Sequence, residues 1–315
     1  MGANAEIISL LKEKQLLEHK LGSLIYGSPE IREKESNRYL YVNFRDNGIK
    51  RSKYVGEYSE DLYNLVLNNS FRAKELKTQI RKVNKKLKEL NYSDVQLDDK
   101  VALNIDFAKR NLVDIIYKQA ILEGVATTFA DTESIIEGGK VKDMTPEDVL
   151  KIVNLKHAWE FILNKNVITT PTNFSLLCEV NKLIEEGFYY NAGKVRSVPV
   201  TIGGTAWQPP LPIETVVKEE LVDILNSDVD KVDMAIELLL YIMKKQVFID
   251  GNKRTAVVFA NHLLVSHGLG SIAVPTDLAD EYKGLLITYY EGKDSEKIRE
   301  FLKGKCYIAL QGGKV

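Results

Sequence analysis

From about residue 99 to the C-terminal end, apolar side chains recur three and four positions apart in one segment after another, and the pattern breaks once, at KVRSVPVTIGGTAWQPPLP (residues 194–212). That periodicity is the signature of amphipathic helices. The exception, rich in β-branched residues, Gly and Pro, cannot continue a helix and reads as a hairpin or an extended loop. Helices are expected over FAKRNLVDIIYKQAILEGVATTF, from Thr145-Pro146-Glu147-Asp148 onward, over about Phe174 to Glu186, Ile213 to Leu225 and Asp230 to Lys245, and again from Thr255. Thr145 is placed to cap, with Pro in the first turn and two acids facing the positive helix end.

The first ninety residues differ. AEIISLLKEKQLLEHKL has helical spacing, RYLYVNFRDNGIKRSKYVGEY alternates and turns at Asp46-Asn47-Gly48, and Glu60 to Leu90 is again helical. An Asn-Gly pair between alternating runs signals a hairpin, because both residues accept positive φ. The second helix carries Arg72, Lys74, Lys77, Arg81, Lys82, Lys85, Lys86 and Lys88. Although the net charge of the 315-residue chain is -1, residues 1–92 hold 18 Lys and Arg against 12 Asp and Glu. A basic appendage over residues 1–92 and an acidic, mainly helical domain over 93–315 are therefore expected, the boundary falling in the aperiodic NYSDVQLDD. The basic face of 72–88 suits nucleic acid or an acidic partner. No apolar run reaches signal-peptide or membrane-span length, and Cys178 and Cys306 lack the spacing of a disulfide framework or zinc site, so a soluble, cytoplasmic protein is expected. A homo-oligomer stays open.

The most informative stretch is QVFIDGNKRTAVVFAN, residues 246–261. Asp250-Gly251-Asn252 turns one apolar helix into another, leaving unpaired N–H groups at the second helix's N-terminus, a ready anion pocket. Lys253 and Arg254 lie at the helix end that usually disfavours cations, which points to a compensating anion such as phosphate. Asp250 beside it offers the hard oxygen that Mg²⁺ shares with substrate phosphates.

These residues resemble the Fic/Doc (Fido) family signature HxFx[D/E]GN[G/K]RxxR at Phe248, Asp250, Gly251, Asn252, Lys253 and Arg254. Ser134-Ile135-Ile136-Glu137-Gly138 is similar to the family's inhibitory [S/T]xxxE[G/N] segment, within an inhibitory-type helix expected at about 102–138. Residues 194–212, with Thr201, Ile202, Gly203 and Gly204, resemble the target-docking flap, and Tyr289-Tyr290-Glu291 a segment near the family's C-terminal end. The resemblance covers about residues 100–310. It implies a mainly α fold, a Fic-type helical core with a β-hairpin flap, here preceded by the helix–hairpin–helix appendage. It also implies ATP and Mg²⁺ as cofactors and transfer of AMP or phosphoryl to a Tyr, Thr or Ser hydroxyl of a protein target. In that picture Asp250 holds the metal, Gly251, Asn252, Lys253 and Arg254 hold the phosphates, and Glu137 with Ser134 inhibits.

The chain departs from the signature where chemistry is most demanding. Gln246 replaces the His that takes the proton from the attacking hydroxyl, and a carboxamide has no basicity near neutral pH, so about 10²–10⁴-fold of general-base help is missing. Transfer is expected to be weak or lost, leaving as alternatives a non-catalytic regulatory module or a Gln246 that only orients the hydroxyl. His262 and His267 lie about 12 Å and 20 Å past Arg254 along a helix, out of reach. Val257 stands where the family has its last Arg, the expected partner of Glu137. Lys253 resembles the branch that transfers phosphoryl instead of AMP.

Overall fold

The computed structural model describes residues 3–310 except 36, 47–48 and 93–95, and of Asp46 the backbone alone. Contacts divide the chain into two units, residues 1–93 and 94–315.

In the first unit, α1 (Ala3–Gly22) packs on α2 (Glu60–Glu89), burying Ile8, Leu10, Leu11 and Leu17 of the one and Ala73, Val83 and Leu87 of the other. Ser59 caps α2 by accepting a hydrogen bond from the Leu62 amide. Between the helices lies an antiparallel sheet of three strands, β1 (Ser28–Lys34), β2 (Asn37–Asp46) and β3 (Ile49–Glu57), in the order β1-β2-β3. The alternation of β2 sends Leu40 and Val42 to one face, where Val66, Leu62, Tyr63 and Val55 close over them. Tyr39, Tyr41 and Tyr54 cluster on the other, with ring centroids 5.5 to 6.2 Å apart. The sequence led to two strands, not three. β1 (SPEIREK) is charged, nearly all exposed and without alternation, so its conformation comes from pairing with β2 and not from its own pattern. The expected turn at Asp46-Asn47-Gly48 lies largely outside the described residues.

The second unit holds α3 (Asp99–Arg110), α4 (Leu112–Leu122), α5 (Phe129–Ile136), α6 (Pro146–Ile162), α7 (Lys165–Ile168), α8 (Phe174–Ile184), α9 (Glu214–Leu225), α10 (Lys231–Lys245), α11 (Asn252–Ser266), α12 (Ala279–Tyr290) and α13 (Glu296–Phe301). Two short strands, β4 (Ser271–Ile272) and β5 (Tyr307–Ile308), pair antiparallel. α11 is the axis of the unit. Every residue from Asn252 to Val265 except Lys253 is buried, and the helix packs against α10, α8, α6, α3 and β4. Such a helix belongs in a core, and beyond its first turn its few polar groups are satisfied. Asn261 exchanges hydrogen bonds with the Ile272 backbone at 2.8 and 2.9 Å, and His262 lies between the Thr172 hydroxyl and the Val167 carbonyl.

The single helix expected at about 102–138 is three helices. Asn111 separates α3 from α4, its amide and side chain both bonding the Phe107 carbonyl, and α4 ends at Gly124, whose φ of 76° stops it. Thr128 then caps α5. The flap segment, 194–212, contains no strand ladder, so the hairpin alternative gives way to an extended loop. Four prolines remove backbone donors, and the Arg196 side chain satisfies carbonyls that a second strand would otherwise take. Among the described residues no helix is long and apolar enough to cross a membrane. Cys178 and Cys306 are free thiols, and burial pushes each up to about 12.

Candidate functional site at the α10–α11 turn

The turn is built by its own side chains. α10 ends on Gln246 in the left-handed conformation, φ 48°, which a non-glycine residue adopts at a cost of about 1 kcal/mol. Arg196 holds it there: its Nε donates to the Gln246 carbonyl at 2.6 Å, and its backbone N–H donates to the Val247 carbonyl at 3.0 Å. Asn252 closes the loop from the other side, accepting from the Phe248 amide at 2.9 Å and donating to the Phe248 carbonyl at 2.8 Å. Asn181 of α8 donates to the Asp250 carbonyl and to the Thr255 hydroxyl while accepting from the Gly193 amide. The loop is thus fixed before any ligand arrives.

α11 starts at Gly251, and no side chain caps it. Gly251 has φ 70°, and a Cβ on it would overlap Glu185 Oε1, so glycine is required on both counts. The uncapped first turn, the positive end of the helix dipole, lies beside Asp250, whose side chain is 53% exposed and accepts from the Gly251 amide at 2.6 Å. The Tyr189 hydroxyl stands 3.5 Å from the second Asp250 oxygen. Among the described residues no cluster of three His, Cys, Asp or Glu could hold a metal by itself. One exposed carboxylate suits a hard cation that takes its remaining ligands from phosphate oxygens and water.

Arg254 is 4% exposed, a cation with carboxylates around it. Its Nη2 lies 2.9 Å from Glu185 Oε1 and 3.8 Å from Asp250 Oδ1, and its Nε lies 3.6 Å from Glu123 Oε2. Arg254 Nε and Nη1 are nonetheless buried without a hydrogen-bond partner. Unmade guanidinium bonds at a buried position leave donors available to an acceptor. Glu185 sits 1% exposed, and burial raises its carboxyl to about 7 against the opposing pull of Arg254, with Asp250 and Glu123 pushing the same way as burial. The Arg254 carbonyl accepts from Gln119 Nε2 at 2.9 Å, and Gln119 Oε1 accepts from Trp159 at 3.0 Å.

The structure thus brings together Gln246, Asp250, Gly251, Asn252, Lys253 and Arg254 from the sequence reading. It does not bring Glu137 and Ser134 to them. Glu137 is exposed at the C-terminal cap of α5, and Ser134 donates to the Lys140 carbonyl. The carboxylate that reaches Lys253 (3.5 Å) and Arg254 is Glu123, at the end of α4. Both glutamates precede a glycine that ends a helix, so the Glu-Gly pair alone could not separate them. Gln119, Asn181, Glu185 and Arg196 were likewise missed: each acts across 50 residues or more, and nothing local marks it.

Gln246 is pinned. Its Nε2 donates to the Met243 carbonyl at 2.6 Å and its Oε1 accepts from Asn252 at 3.1 Å. Of the flap residues, Thr201, Gly203 and Gly204 are exposed and Ile202 half-buried. The flap is anchored at two places. Arg196 donates to the carbonyls of Val198, Pro209 and Pro210 near its base, and Thr205 donates to Glu291 at 3.0 Å while Trp207 stacks on Tyr290 at 5.9 Å. The Tyr289-Tyr290-Glu291 segment is therefore what the far side of the flap rests on.

The sequence model of the Fic/DOC family matches residues 171–264, from the N-terminal side of α8 through nearly all of α11. Three solved structures share the fold. Fic-1 (aa134–508) from C. elegans is 19% identical with a TM-score of 0.52, over 76% of this chain and 72% of that one. A Fic domain containing signaling protein from Bacteroides thetaiotaomicron VPI-5482 is 20% identical with a TM-score of 0.53, over 70% of this chain and 89% of that one. A Fic family protein from Desulfovibrio desulfuricans G20 is 18% identical with a TM-score of 0.51, over 67% and 73%. No curated protein sequence matches significantly. Residues 171–264 are thus similar to the Fic/DOC family, and the fold around them is shared with these structures.

Proposed function

We propose that this Fic/DOC family protein binds ATP with Mg²⁺ at the α10–α11 turn, and that it transfers AMP or phosphoryl to a protein Tyr, Thr or Ser hydroxyl only weakly. The observation that carries the reading is the buried Arg254 guanidinium, two of its nitrogens unbonded, beside an uncapped helix N-terminus and an exposed carboxylate. Backbone amides of Asn252 and Lys253 with the Arg254 side chain would hold the phosphates, as helix N-termini hold anions. Asp250 would hold Mg²⁺, which when bound supplies charge neutralisation at the phosphates.

Weak transfer follows from Gln246. Its carboxamide is hydrogen-bonded at both ends and offers no basic lone pair to an attacking hydroxyl. Neither His262 nor His267 replaces it: His262 is buried between Thr172 and Val167, and His267 bonds Ser266 and Leu263. The rigid turn remains able to position phosphates, which is most of phosphoryl-transfer catalysis. Binding without turnover, a regulatory use of the fold, is the second reading, and the pinned Gln246 favours it.

Glu123 regulates access in this reading. Its carboxylate stands against both cations that the phosphates need, so nucleotide binding competes with an internal anion. The flap supplies the docking edge for the target: an anchored loop with exposed Thr201, Gly203 and Gly204 offers backbone groups to an extended segment by strand addition.

The test is incubation of the full chain and candidate protein substrates with ATP labelled at the α or the γ phosphate, in the parent and in Gln246→His. Label from the α position reports AMP transfer, and label from the γ position phosphoryl transfer. Mg·ATP titration by calorimetry of the parent and Arg254→Ala separates binding from turnover; equal affinity in the two would overturn the assignment of the phosphate site.

A further inference from the structure

The first unit contains a cleft of about 470 Å³ where the loop from α1 to β1 meets the end of the sheet and α2. Its walls include two half-buried rings, Tyr26 and Phe44, and three cations, Arg45, Lys53 and Lys77, with no carboxylate among the described lining residues. Lys77 holds its ammonium 4.5 Å over the Tyr26 ring. Three like charges lining one concave apolar surface repel one another, and a bound anion relieves that repulsion.

The charge does not stop at the cleft. Residues 71–90 carry eight Lys and Arg against two Glu. Lys74, Lys77, Arg81, Lys85 and Lys88 are all exposed and share one sector of α2 about 80° wide, with successive cations about 5–6 Å apart along the axis. A row of evenly placed cations running out of an aromatic, cationic cleft matches a polymer that carries repeated negative charge and flat apolar rings. A peptide of acidic residues alone supplies the charge but no ring for Tyr26 and Phe44. A duplex hides its base faces in the stack, whereas a single strand presents them.

We propose that the first unit binds single-stranded nucleic acid, with one base between Tyr26 and Phe44 and the adjoining phosphates on Arg45, Lys53 and the Lys77–Lys88 row. This site is independent of the one at Arg254. Aromatic stacking and an electrostatic row together give affinity with little demand on sequence.

The experiment is fluorescence anisotropy of the full chain with labelled twenty-nucleotide oligo(dT) and oligo(rU), a duplex of equal length, and polyglutamate as competitor, across a salt series. Expected is binding of one or both single strands at least tenfold tighter than the duplex. The logarithm of affinity should fall linearly with the logarithm of salt, by about 0.7 per phosphate engaged. Charge reversal at the exposed positions Lys77, Arg81 and Lys85 together should weaken binding a hundredfold or more and flatten that slope. Phe44→Ala should weaken it about tenfold without changing the slope, and Phe44→Trp should restore it, which separates stacking from any loss of folding. No binding at low salt, equal binding of duplex, equally effective displacement by polyglutamate and by unlabelled strand, or Phe44→Ala binding as the parent does would each overturn the proposal.

Discussion

Arg254 Nη2 and Glu185 Oε1 lie 2.9 Å apart with both side chains almost wholly removed from solvent. Burial dominates the pair and raises the Glu185 carboxyl from 4.5 to about 7. A carboxyl raised on folding binds more protons in the folded than in the unfolded chain between those two values, so its contribution to stability falls as pH rises through that window. The loss amounts to at most about 3 kcal/mol. Denaturant unfolding at pH 5 and pH 8 should therefore show a larger drop for the parent than for Glu185→Gln, which has nothing to titrate there. Identical pH dependence in the two would mean that Glu185 titrates normally.

Glu123 faces Lys253 at 3.5 Å and Arg254 at 3.6 Å, occupying charge that phosphates would use. Its replacement by Gly or Ala should tighten Mg·ATP binding about tenfold, or roughly 1.4 kcal/mol. Glu137→Ala, which alters an exposed cap on α5, should leave affinity unchanged. Calorimetric titration of both variants decides between the two glutamates, since tightening in Glu137→Ala alone would return the inhibitory role to that residue.

Gly251 tests how closely the turn and α8 are matched. Gly251→Ala meets two penalties, about 1–2 kcal/mol for a side chain at φ 70° and a clash with Glu185. In a Glu185→Ala background the second penalty disappears. A double-mutant cycle by urea unfolding should therefore give a coupling energy of about 1 kcal/mol or more. Additive effects would show that Glu185 does not constrain the turn.

What was legible in the sequence was local. The residues of the α10–α11 turn could be read together because helix stop, turn and helix start are consecutive, and α11 announced its burial through an apolar run. β1 was illegible because its partner strand supplies its order. The break at Asn111 depends on one side chain bonding back to Phe107. Glu123 and Glu185 reach Arg254 from helices that end 132 and 70 residues earlier in the chain, and only packing brings them there. Nothing local to Arg196 marks it for burial, yet the structure leaves it only 4% exposed.

Arg196 supports the last prediction. Through Nε, Nη1 and Nη2 it donates to the carbonyls of Gln246, Val198, Pro209 and Pro210, tying the left-handed end of α10 to both limbs of the flap. Burial without a carboxylate partner already lowers its pKa, so the planar fork and its four acceptors are what keep the charge in place. Lysine cannot reproduce that fork, and Arg196→Lys should destabilise the chain by about 1–2 kcal/mol because one buried and three part-buried bonds lose their donor geometry. Cleavage of the 199–210 segment by a nonspecific protease should accelerate in the variant well before global unfolding. Were Arg196→Lys as stable and as protease-resistant as the parent, the flap would be held by the Trp207–Tyr290 stack and the Thr205–Glu291 bond instead.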